Sequence, residues 1–244
     1  MKIYLVGGAI RDALLNVKSK DLDYVMVLDN NNLSLTEGFN IMREYMIKEG
    51  FEIFLETPDM VTIRGKFPKN HKNSGITGDF VLARKEVGYT RSTRRPILEI
   101  GNLYDDLSRR DLTINAMAED EDGNIIDLFG GKEDLKNKIL RTPLSPEVTL
   151  FDDPLRLNRI LRFSITKGFK ISDELKNAMS NPLVLDKMRD VVSQERIREE
   201  LLKMFKHDTQ KSLKLLLEAD STYCPGILDI CFGSGIWLNP TTKI

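Results

Sequence analysis

The first part of the chain alternates short apolar runs with polar breaks, a pattern that is typical of strands joined by turns and short helices. Residues 3–7 predict a strand, and residues 9–15 predict a short helix that begins beside a glycine pair. Residues 21–28 at first alternate polar and apolar side chains, as expected for a strand with one solvent-facing side. The segment therefore predicts a strand, a helix and a second strand.

Residues 35–138 contain both helical spacing and strand-like alternation of apolar residues. Apolar residues at helical spacing predict an amphipathic helix over 35–49, with Gly50 as its C-terminal cap. The polar stretch 67–78 predicts an exposed hairpin or loop. Residues 119–131 predict a hairpin with an Asp-Gly turn, and 132–138 predict a short helix. Further strands are predicted at 51–56, 60–66 and 79–84.

Two proline dipeptides, Thr142-Pro143 and Ser145-Pro146, predict a rigid boundary, after which the pattern becomes helical. A helix is predicted over 152–167, with a proline in its first turn. Another begins after Ser193 as its cap, and a third covers 208–219. We therefore predict domains at 1–141, 142–207 and 208–244.

Composition indicates an ordinary soluble protein: 244 residues, 41% apolar and 30% charged. The sequence shows no apolar run of membrane-spanning length and no secretory signal, so we expect a cytoplasmic location and no membrane partner. The only cysteines, Cys224 and Cys231, are expected to be reduced and partly buried. His71 and His207 lack a motif and are interpreted as incidental. The oligomeric state stays open.

The net charge of −1 does not indicate bulk nucleic-acid binding, but the arginines are clustered, which suits a phosphate-rich ligand in a cleft. The clusters lie at residues 84–85, 91–95, 109–110, 156–162 and 196–198. Residues 85–96 are basic and lack apolar periodicity. They predict either a mobile loop beside the site or a solvated linker.

The first candidate functional residues lie near the N-terminus. Gly7 and Gly8 let backbone N–H groups approach an anion closely, and residues two apart on a strand share a face. Asp21 and Asp23 are therefore predicted to direct two carboxylates at one Mg²⁺ site beside a phosphate-binding turn. Asp79 is either a third metal-facing carboxylate or a turn aspartate.

The stretch 107–118 is helix-like, with Ser108 as a possible cap. Its polar residues are candidates for holding phosphates and ribose hydroxyls; the alternative is a charge network at a helix N-terminus. These residues are Arg109, Arg110, Asp111 and Asn115.

Asp153 and Arg156 are three residues apart, and on a helix they share a face. Such a pair can imitate the edge of a base, because the guanidinium donates and the carboxylate accepts. Spacing alone favours a plain intrahelical ion pair.

Several stretches in this order resemble the class II, bacterial-type tRNA nucleotidyltransferase and poly(A) polymerase family. They are LVGGAIRDALL with DLDYVM, then ARKEVGYTRSTRRP, DLSRRDLTINAMA, IIDLFGGKEDL, DPLRLNRILRF and SQERIREELL. They cover about residues 3–203. The resemblance implies an α+β chain: a polymerase-β-like head with a mixed sheet, then a helical neck and a shortened helical body.

The resemblance also implies roles. Gly7, Gly8 and Arg11 would bind the triphosphate, and Asp21 and Asp23 would hold two catalytic Mg²⁺ ions. Arg109, Arg110, Asp111 and Asn115 would contact ribose and phosphates. Asp153 and Arg156 would read the base, with Arg159 and Arg162 as supporting residues. The segment 85–96 would be a flexible loop linked to A addition. One departure is Asp152, because the family commonly has glutamate before the base-reading aspartate.

The resemblance thus implies template-independent addition of CMP and AMP from CTP and ATP to the 3′ end of tRNA, as CCA addition or repair. Within the same enzyme class, the alternatives are a poly(A) polymerase or a nucleotidyltransferase acting on another RNA or a protein. A non-catalytic nucleotide- or RNA-binding remnant is the alternative from another class.

Overall fold

The structure, a computed structural model, describes residues 1–19, 21–30, 32–89 and 96–233. It divides into two compact units, Met1–Lys132 and Glu133–Ile244. The division falls before the boundary predicted at residue 141 and inside a short helix. The three predicted domain ranges stay predictions.

The first unit contains nine strands and three complete helices within its described residues. In chain order they are β1 (Lys2–Val6), α1 (Gly8–Leu14), β2 (Asp23–Val27), α2 (Leu35–Lys48), β3 (Glu52–Thr57), β4 (Thr62–Lys66), β5 (Thr77–Leu82), β6 (Arg84–Tyr89), β7 (Pro96–Ile100), α3 (Leu103–Ser108), β8 (Met117–Glu119) and β9 (Ile125–Asp127). The helix α4 (Gly131–Asn137) contains the division between the units.

Seven of these strands form one mixed sheet in the order β3-β4-β5-β2-β1-β8-β9. Strands β2 and β5 are parallel, and the other neighbours in this sheet are antiparallel. The predicted α+β class with a mixed sheet is confirmed. At the start of β2, Asp23 lies opposite Val6 of β1 and Asp79 of β5.

The two faces of the sheet carry separate apolar clusters because side chains alternate along each strand. Tyr24 and Met26 pack on one face with Met42 of α2, while Val25 packs on the other with Leu107. Full burial of a side chain of this size stabilises the fold by roughly 1.5–3 kcal/mol. This alternation puts Asp23 and its neighbour Tyr24 on opposite faces of the sheet.

Helix α2 confirms the predicted amphipathic helix and its cap. Ser34 and Glu37 form a capping box: the Ser34 hydroxyl accepts the Glu37 N–H, and the Glu37 carboxylate accepts the Ser34 N–H. At the other end, Gly50 has φ +84°, and the Phe51 N–H donates to the Met46 carbonyl at 2.9 Å. The helix therefore ends in a glycine-based cap of the Schellman type.

The helix-like prediction for 107–118 was wrong. Helix α3 ends at Ser108 and is capped by Asn102, and a 3₁₀ turn at Thr113–Asn115 leads into β8. The Asp111 carboxylate accepts the Leu112 N–H at 2.8 Å. That local bond offers the backbone an alternative to a helix.

The prediction of a loop over 85–96 was also wrong in part. Residues 85–89 belong to β6, which pairs with β7 as an antiparallel hairpin. Its register shifts between Glu86 and Gly88, so the strand continues past the glycine through an irregularity. Residues 90–95 lie outside the described residues.

The second unit is mostly helical. Its elements are β10 (Ile139–Leu140), α5 (Pro146–Asp152), α6 (Arg156–Lys167), β11 (Lys170–Ile171), α7 (Asp173–Met179), α8 (Pro182–Val191), α9 (Gln194–Thr222) and α10 (Ile227–Phe232). Ser193 caps α9, as predicted. The backbone at Asp208 is not helical (φ −158°, ψ 99°), so α9 is two helices joined at a kink.

The helix predicted over 152–167 is also broken. Helix α5 ends at Asp152 and α6 begins at Arg156, with Asp153 extended between them (φ −131°, ψ 96°). The cause is Pro154, because the proline ring disfavours helical backbone at the residue before it. Asp153 and Arg156 therefore do not share a helix face, contrary to the prediction.

Both cysteines are buried, more completely than predicted. Burial raises the pKa of the Cys224 and Cys231 thiols to about 12, so both thiols are protonated at neutral pH. Within the described ranges, no helix combines the length and the apolar character that crossing a membrane requires.

Candidate active site

The glycine pair forms the turn between β1 and α1. Gly7 has φ +77°, a conformation that favours glycine. A Cβ on Gly7 would also lie only 2.8 Å from Nη1 of Arg110. Glycine therefore suits the backbone conformation here, and a side chain at this position would displace the end of the Arg110 side chain.

The predicted catalytic carboxylates lie at the start of β2. Asp23 is the first residue of the strand, and Asp21 lies in the segment that enters it. Both residues are exposed, and neither carboxylate makes a hydrogen bond or ion pair within the described part of the chain. They are available to an external ligand.

Negative charge is concentrated at this point. Although Asp23 as a residue is exposed, the protein around its carboxylate raises its pKa by desolvation. Arg110 opposes the rise, whereas the charges of Asp79, Asp21 and Asp106 add to it. A bound cation would relieve this repulsion.

Asp79 lies directly beside Asp23 across the parallel β2–β5 pair. Its two carboxylate oxygens both accept from Nη1 of Arg64, each at 3.1 Å. The third-carboxylate role stays a prediction, and in this structure Asp79 is ion-paired.

The donor set fits Mg²⁺, since carboxylate oxygens are its preferred ligands and it commonly binds through one or two carboxylates plus substrate phosphates. Within the described residues, no group of three or more His, Cys, Asp or Glu is arranged to hold a metal ion. At a site formed by Asp21 and Asp23, water molecules or nucleotide oxygens would supply the remaining ligands.

A buried aspartate that sequence reasoning missed holds the two predicted arginines. Asp106 is fully buried, and its Oδ1 accepts from Arg109 while its Oδ2 accepts from Nη2 of Arg110 at 2.7 Å. Burial alone would raise the pKa of Asp106, but the charges and hydrogen bonds of Arg110 and Arg109 outweigh it and lower the pKa. The spacing of an acid with bases three and four residues later was the available signal.

The other predicted ligand-binding residues form a second buried network. Nη1 of Arg11 donates to Oδ1 of Asn115, and Nδ2 of Asn115 donates to Oδ1 of Asp111 at 2.9 Å. Asp12, not singled out from the sequence, accepts two bonds from Arg11. The structure thus brings together Arg11, Asp111 and Asn115, although no helix links the last two.

The predicted base-selecting residues lie in the second unit. The Arg156 N–H donates to the Asp153 carbonyl at 3.0 Å, so a backbone turn joins them. Nη1 of Arg156 donates to the Thr149 carbonyl at 2.9 Å, and Oδ2 of Asp153 accepts from Nη2 of Arg196 at 3.5 Å. Arg196, at the start of α9, was not predicted as a site residue.

The two predicted supporting arginines lie on α6. Nε of Arg162 donates to the buried Glu200 of α9 at 2.5 Å, and its guanidinium lies 4.2 Å from the centroid of the Phe163 ring. The Arg159 guanidinium lies 6.0 Å from the same centroid. The contacts of Arg162 join α6 to α9, which is consistent with support of the base-selecting turn.

Comparison with known proteins adds independent observations. Residues 3–141 match the family described as "Poly A polymerase head domain". Two curated relatives, the Multifunctional CCA proteins of Neisseria gonorrhoeae strains NCCP11945 and ATCC 700825 / FA 1090, are each 36% identical over 223 residues. The match covers 89% of this chain and 48% of each relative, so the chain spans about half the length of the curated relatives it matches.

Solved structures of related enzymes are also similar to this chain. A Bacillus stearothermophilus CCA-adding enzyme in complex with CTP is 27% identical with a TM-score of 0.70, over 92% of this chain and 50% of that chain. A tRNA nucleotidyltransferase complexed with a primer tRNA and an incoming ATP analog is 28% identical with a TM-score of 0.65, over 95% and 59%.

The mixed sheet, with Asp21 and Asp23 where its central strand β2 begins, has the fold of the nucleotidyltransferase heads in these solved structures. The chain belongs to the poly A polymerase head domain family.

Proposed function

We propose that the chain is a template-independent RNA nucleotidyltransferase that adds CMP and AMP from CTP and ATP to the 3′ end of tRNA. One observation carries the proposal: the carboxylates of Asp21 and Asp23, which have no hydrogen-bond or ion-pair partner among the described residues, lie in a region of concentrated negative charge that Arg110, beside the Gly7 turn, only partly offsets. Relatives bound to CTP, an ATP analog and tRNA support the choice of substrates.

Asp21 and Asp23 would hold two Mg²⁺ ions, which would lower the pKa of the RNA 3′-hydroxyl and stabilise the pyrophosphate leaving group. The Gly7-Gly8 turn lets the triphosphate approach the backbone without side-chain obstruction. Arg110, held by Asp106, would pair with phosphate oxygens. Because Asp106 fixes the guanidinium in advance, little of its side-chain freedom is lost on binding.

Base choice would come from Asp153 and Arg156. A guanidinium only donates hydrogen bonds and a carboxylate only accepts them, so together they match donor and acceptor positions on a base edge. Thr149 and Arg196 each hold one member of the pair. That arrangement supports recognition of CTP and ATP by protein side chains.

The test is incorporation of labelled nucleotides by the purified chain, with tRNA lacking its 3′ CCA and with MgCl₂. Addition that stops after CCA, CC or A supports the proposal. A long A tract on any RNA would instead indicate a poly(A) polymerase. Absence of incorporation with every RNA and nucleotide would contradict an enzymatic role.

A double variant, Asp21→Ala with Asp23→Ala, is expected to lose incorporation while retaining its circular dichroism spectrum. Asp59→Ala, which removes another exposed aspartate, is the matched control and should remain active.

A further inference from the structure

Beside the carboxylates proposed as catalytic, one row of charged side chains crosses three neighbouring strands. Asp23 of β2 lies opposite Asp79 of β5, and Asp79 lies opposite Arg64 of β4. Residues directly opposite each other on paired strands point to the same face of a sheet. Because neighbouring strands lie about 4.8 Å apart, the backbone of Arg64 is roughly 10 Å from that of Asp23. A long side chain at Arg64 can therefore reach a substrate bound at Asp23.

Arg64 uses only one of its nitrogen atoms to bond the protein. Nη1 donates to both carboxylate oxygens of Asp79, each at 3.1 Å. Nε and Nη2 make no hydrogen bond within the part of the chain that the structure describes, and the side chain is 51% exposed. The Asp79 carboxylate thus orients the guanidinium and leaves two of its nitrogens to a ligand. Carboxylate and phosphate are the groups that this fork of donors matches.

The two sides of Asp23 differ in what they contain. On one side, β1 leads into the Gly7 turn with Arg110 against it, where the triphosphate is proposed to bind. On the other side lie Asp79 and then Arg64. In phosphoryl transfer the attacking and leaving oxygens lie roughly in line across the transferred phosphorus. With the leaving pyrophosphate at the glycine turn, the attacking hydroxyl of the RNA approaches from the Arg64 side.

Positive charge on this side has a physical purpose. An RNA that approaches Asp23 and Asp79 brings its phosphates towards two carboxylates, and like charges repel. Arg64 lies at the end of the row, and Lys66, two residues further along β4, points to the same face. Lys66 pairs with Glu52 at 3.3 Å, so it too is oriented by a carboxylate. Two cations on β4 therefore reduce the repulsion where the RNA would enter.

We propose that Arg64 binds a phosphodiester group near the 3′ end of the RNA through Nε and Nη2, and so positions the terminal hydroxyl beside Asp23. The inference rests on the proposed function, because it takes an RNA 3′ end as the second substrate. It adds a contact for the RNA within the first unit, separate from the turn that binds the triphosphate.

The first measurement is RNA binding without nucleotide. Fluorescence anisotropy follows a fluorescein-labelled tRNA that lacks its 3′ CCA, titrated with the full chain in MgCl₂ at several KCl concentrations. Arg64→Gln is expected to weaken binding roughly tenfold, the size of one charge-assisted hydrogen bond. The slope of log K against log salt should fall by about 0.7–0.9, the value for one phosphate contact. An unchanged slope, or a wild-type chain that does not bind the RNA, would overturn the proposal.

Arg43→Gln is the matched control. Arg43 also pairs with a carboxylate, that of Glu56, and its side chain is 43% exposed. It belongs to α2, however, which packs on the opposite face of the sheet. This variant should bind the RNA as the wild type does. If it weakens binding as much as Arg64→Gln, only net charge attracts the RNA, and the assigned contact is wrong.

Incorporation kinetics separate RNA binding from an effect on the chemical step. Arg64→Gln should raise KM for the RNA, while KM for CTP and kcat stay near the wild-type values. A raised KM for CTP would place the triphosphate on the Arg64 side. A lowered kcat with an unchanged KM for the RNA would show that Arg64 acts through Asp79. Either result would contradict the proposed contact.

Arg64→Lys tests the geometry, and it remains informative if Arg64→Gln fails to fold by circular dichroism. The salt slope should persist because the charge remains, but the RNA should bind severalfold more weakly because an ammonium lacks the fork of donors. Wild-type affinity in this variant would exclude pairing through Nε and Nη2.

The outcomes also distinguish this inference from the proposed function. RNA binding that depends on Arg64, without incorporation of any nucleotide, would reject the enzymatic role and support the RNA contact. Incorporation with the same KM for the RNA in wild type and Arg64→Gln would reject the contact and support the enzymatic role.

Discussion

The carboxylates proposed as catalytic, in the first unit, and the pair proposed to select the base, in the second, are positioned by different kinds of contact. Asp23 is placed by strand register, opposite Val6 and Asp79, and its carboxylate has no partner among the described residues. Asp153 and Arg156 lie outside any shared element and contact Arg196 and the Thr149 carbonyl. The position of Asp23 is thus set by backbone pairing between strands, whereas the side chains of Asp153 and Arg156 are held by hydrogen bonds to Arg196 and to the Thr149 carbonyl.

This difference has a consequence for mutagenesis. Removing a carboxylate proposed as catalytic should abolish the reaction without disturbing its surroundings, because no described residue forms a hydrogen bond or ion pair with it. Removing a side chain that holds the base-selecting pair should change specificity while the reaction continues. Predictions that test this contrast follow from the largest expected effect to the smallest.

The largest effect is expected from Asp23→Asn. Loss of the charge proposed to bind the metal should reduce incorporation of every nucleotide by roughly a hundredfold or more. The fold should be retained, since the raised pKa of Asp23 shows that its charge is unfavourable where it lies. Single-turnover incorporation and urea unfolding measure the two effects. An unstable variant would show that Asp23 has a structural role.

Asp106→Asn should be the most destabilising change. It leaves two partly buried guanidinium groups without their carboxylate, at a cost of about 3 kcal/mol in free energy of unfolding. Urea denaturation measures it, with Asp122→Asn in the exposed turn as the control. If Asp106→Asn lowers the free energy of unfolding less than Asp122→Asn does, the role assigned to Asp106 is contradicted.

We also expect the contribution of Asp106 to the free energy of unfolding to depend on pH. The pKa of Asp106 is lowered in the folded state, so its stabilising contribution is complete above the unfolded-state value and is lost as pH falls through the folded-state value. The stability difference between wild type and Asp106→Asn should therefore shrink in acid. A difference that grows on acidification would reverse the sign and disprove the pairing.

Gly7→Ala separates conformational strain from contact with Arg110. Gly75 has nearly the same φ, +79° against +77°, but a Cβ there would meet nothing within 4 Å. Gly7→Ala should cost about 1–3 kcal/mol in stability, because the Gly7 backbone (φ +77°, ψ −136°) lies in a region that residues with side chains rarely adopt. Gly75→Ala should also destabilise the fold, and Gly7→Ala should in addition displace Arg110 and reduce incorporation. Equal activity of the two variants would show that the position of Arg110 is unimportant.

The smallest effect on stability is expected from Arg196→Ala. Its ion pair with Asp153 is exposed and contributes about 0–1 kcal/mol. Base choice should nevertheless relax, because Oδ2 of Asp153 loses its bond to Arg196, while Oδ1 keeps its bond from the Leu155 N–H at 3.3 Å. The measurement is kcat/KM for CTP and ATP against UTP and GTP. Arg198→Ala, two residues along α9, is the comparison variant.

Much of the fold could be predicted because its signals are local. Helix α2 could be predicted from the spacing of its apolar residues and from Gly50, because both ends of the helix are capped by residues next to them in sequence. Helix boundaries near 107–118 and 152–167 were predicted wrongly. In one case the Asp111 side chain competes for a backbone N–H, and in the other Pro154 breaks the helix.

The sequence by itself determined the residue types for phosphate and metal chemistry: two glycines, two aspartates one residue apart, and paired arginines. Only the tertiary structure decided that Asp79 is the neighbour of Asp23, that Asp106 is buried beneath both arginines, and that Arg196 meets Asp153. The physical reason is that strand register and burial depend on residues far apart in the chain, whereas spacing reports only on near neighbours.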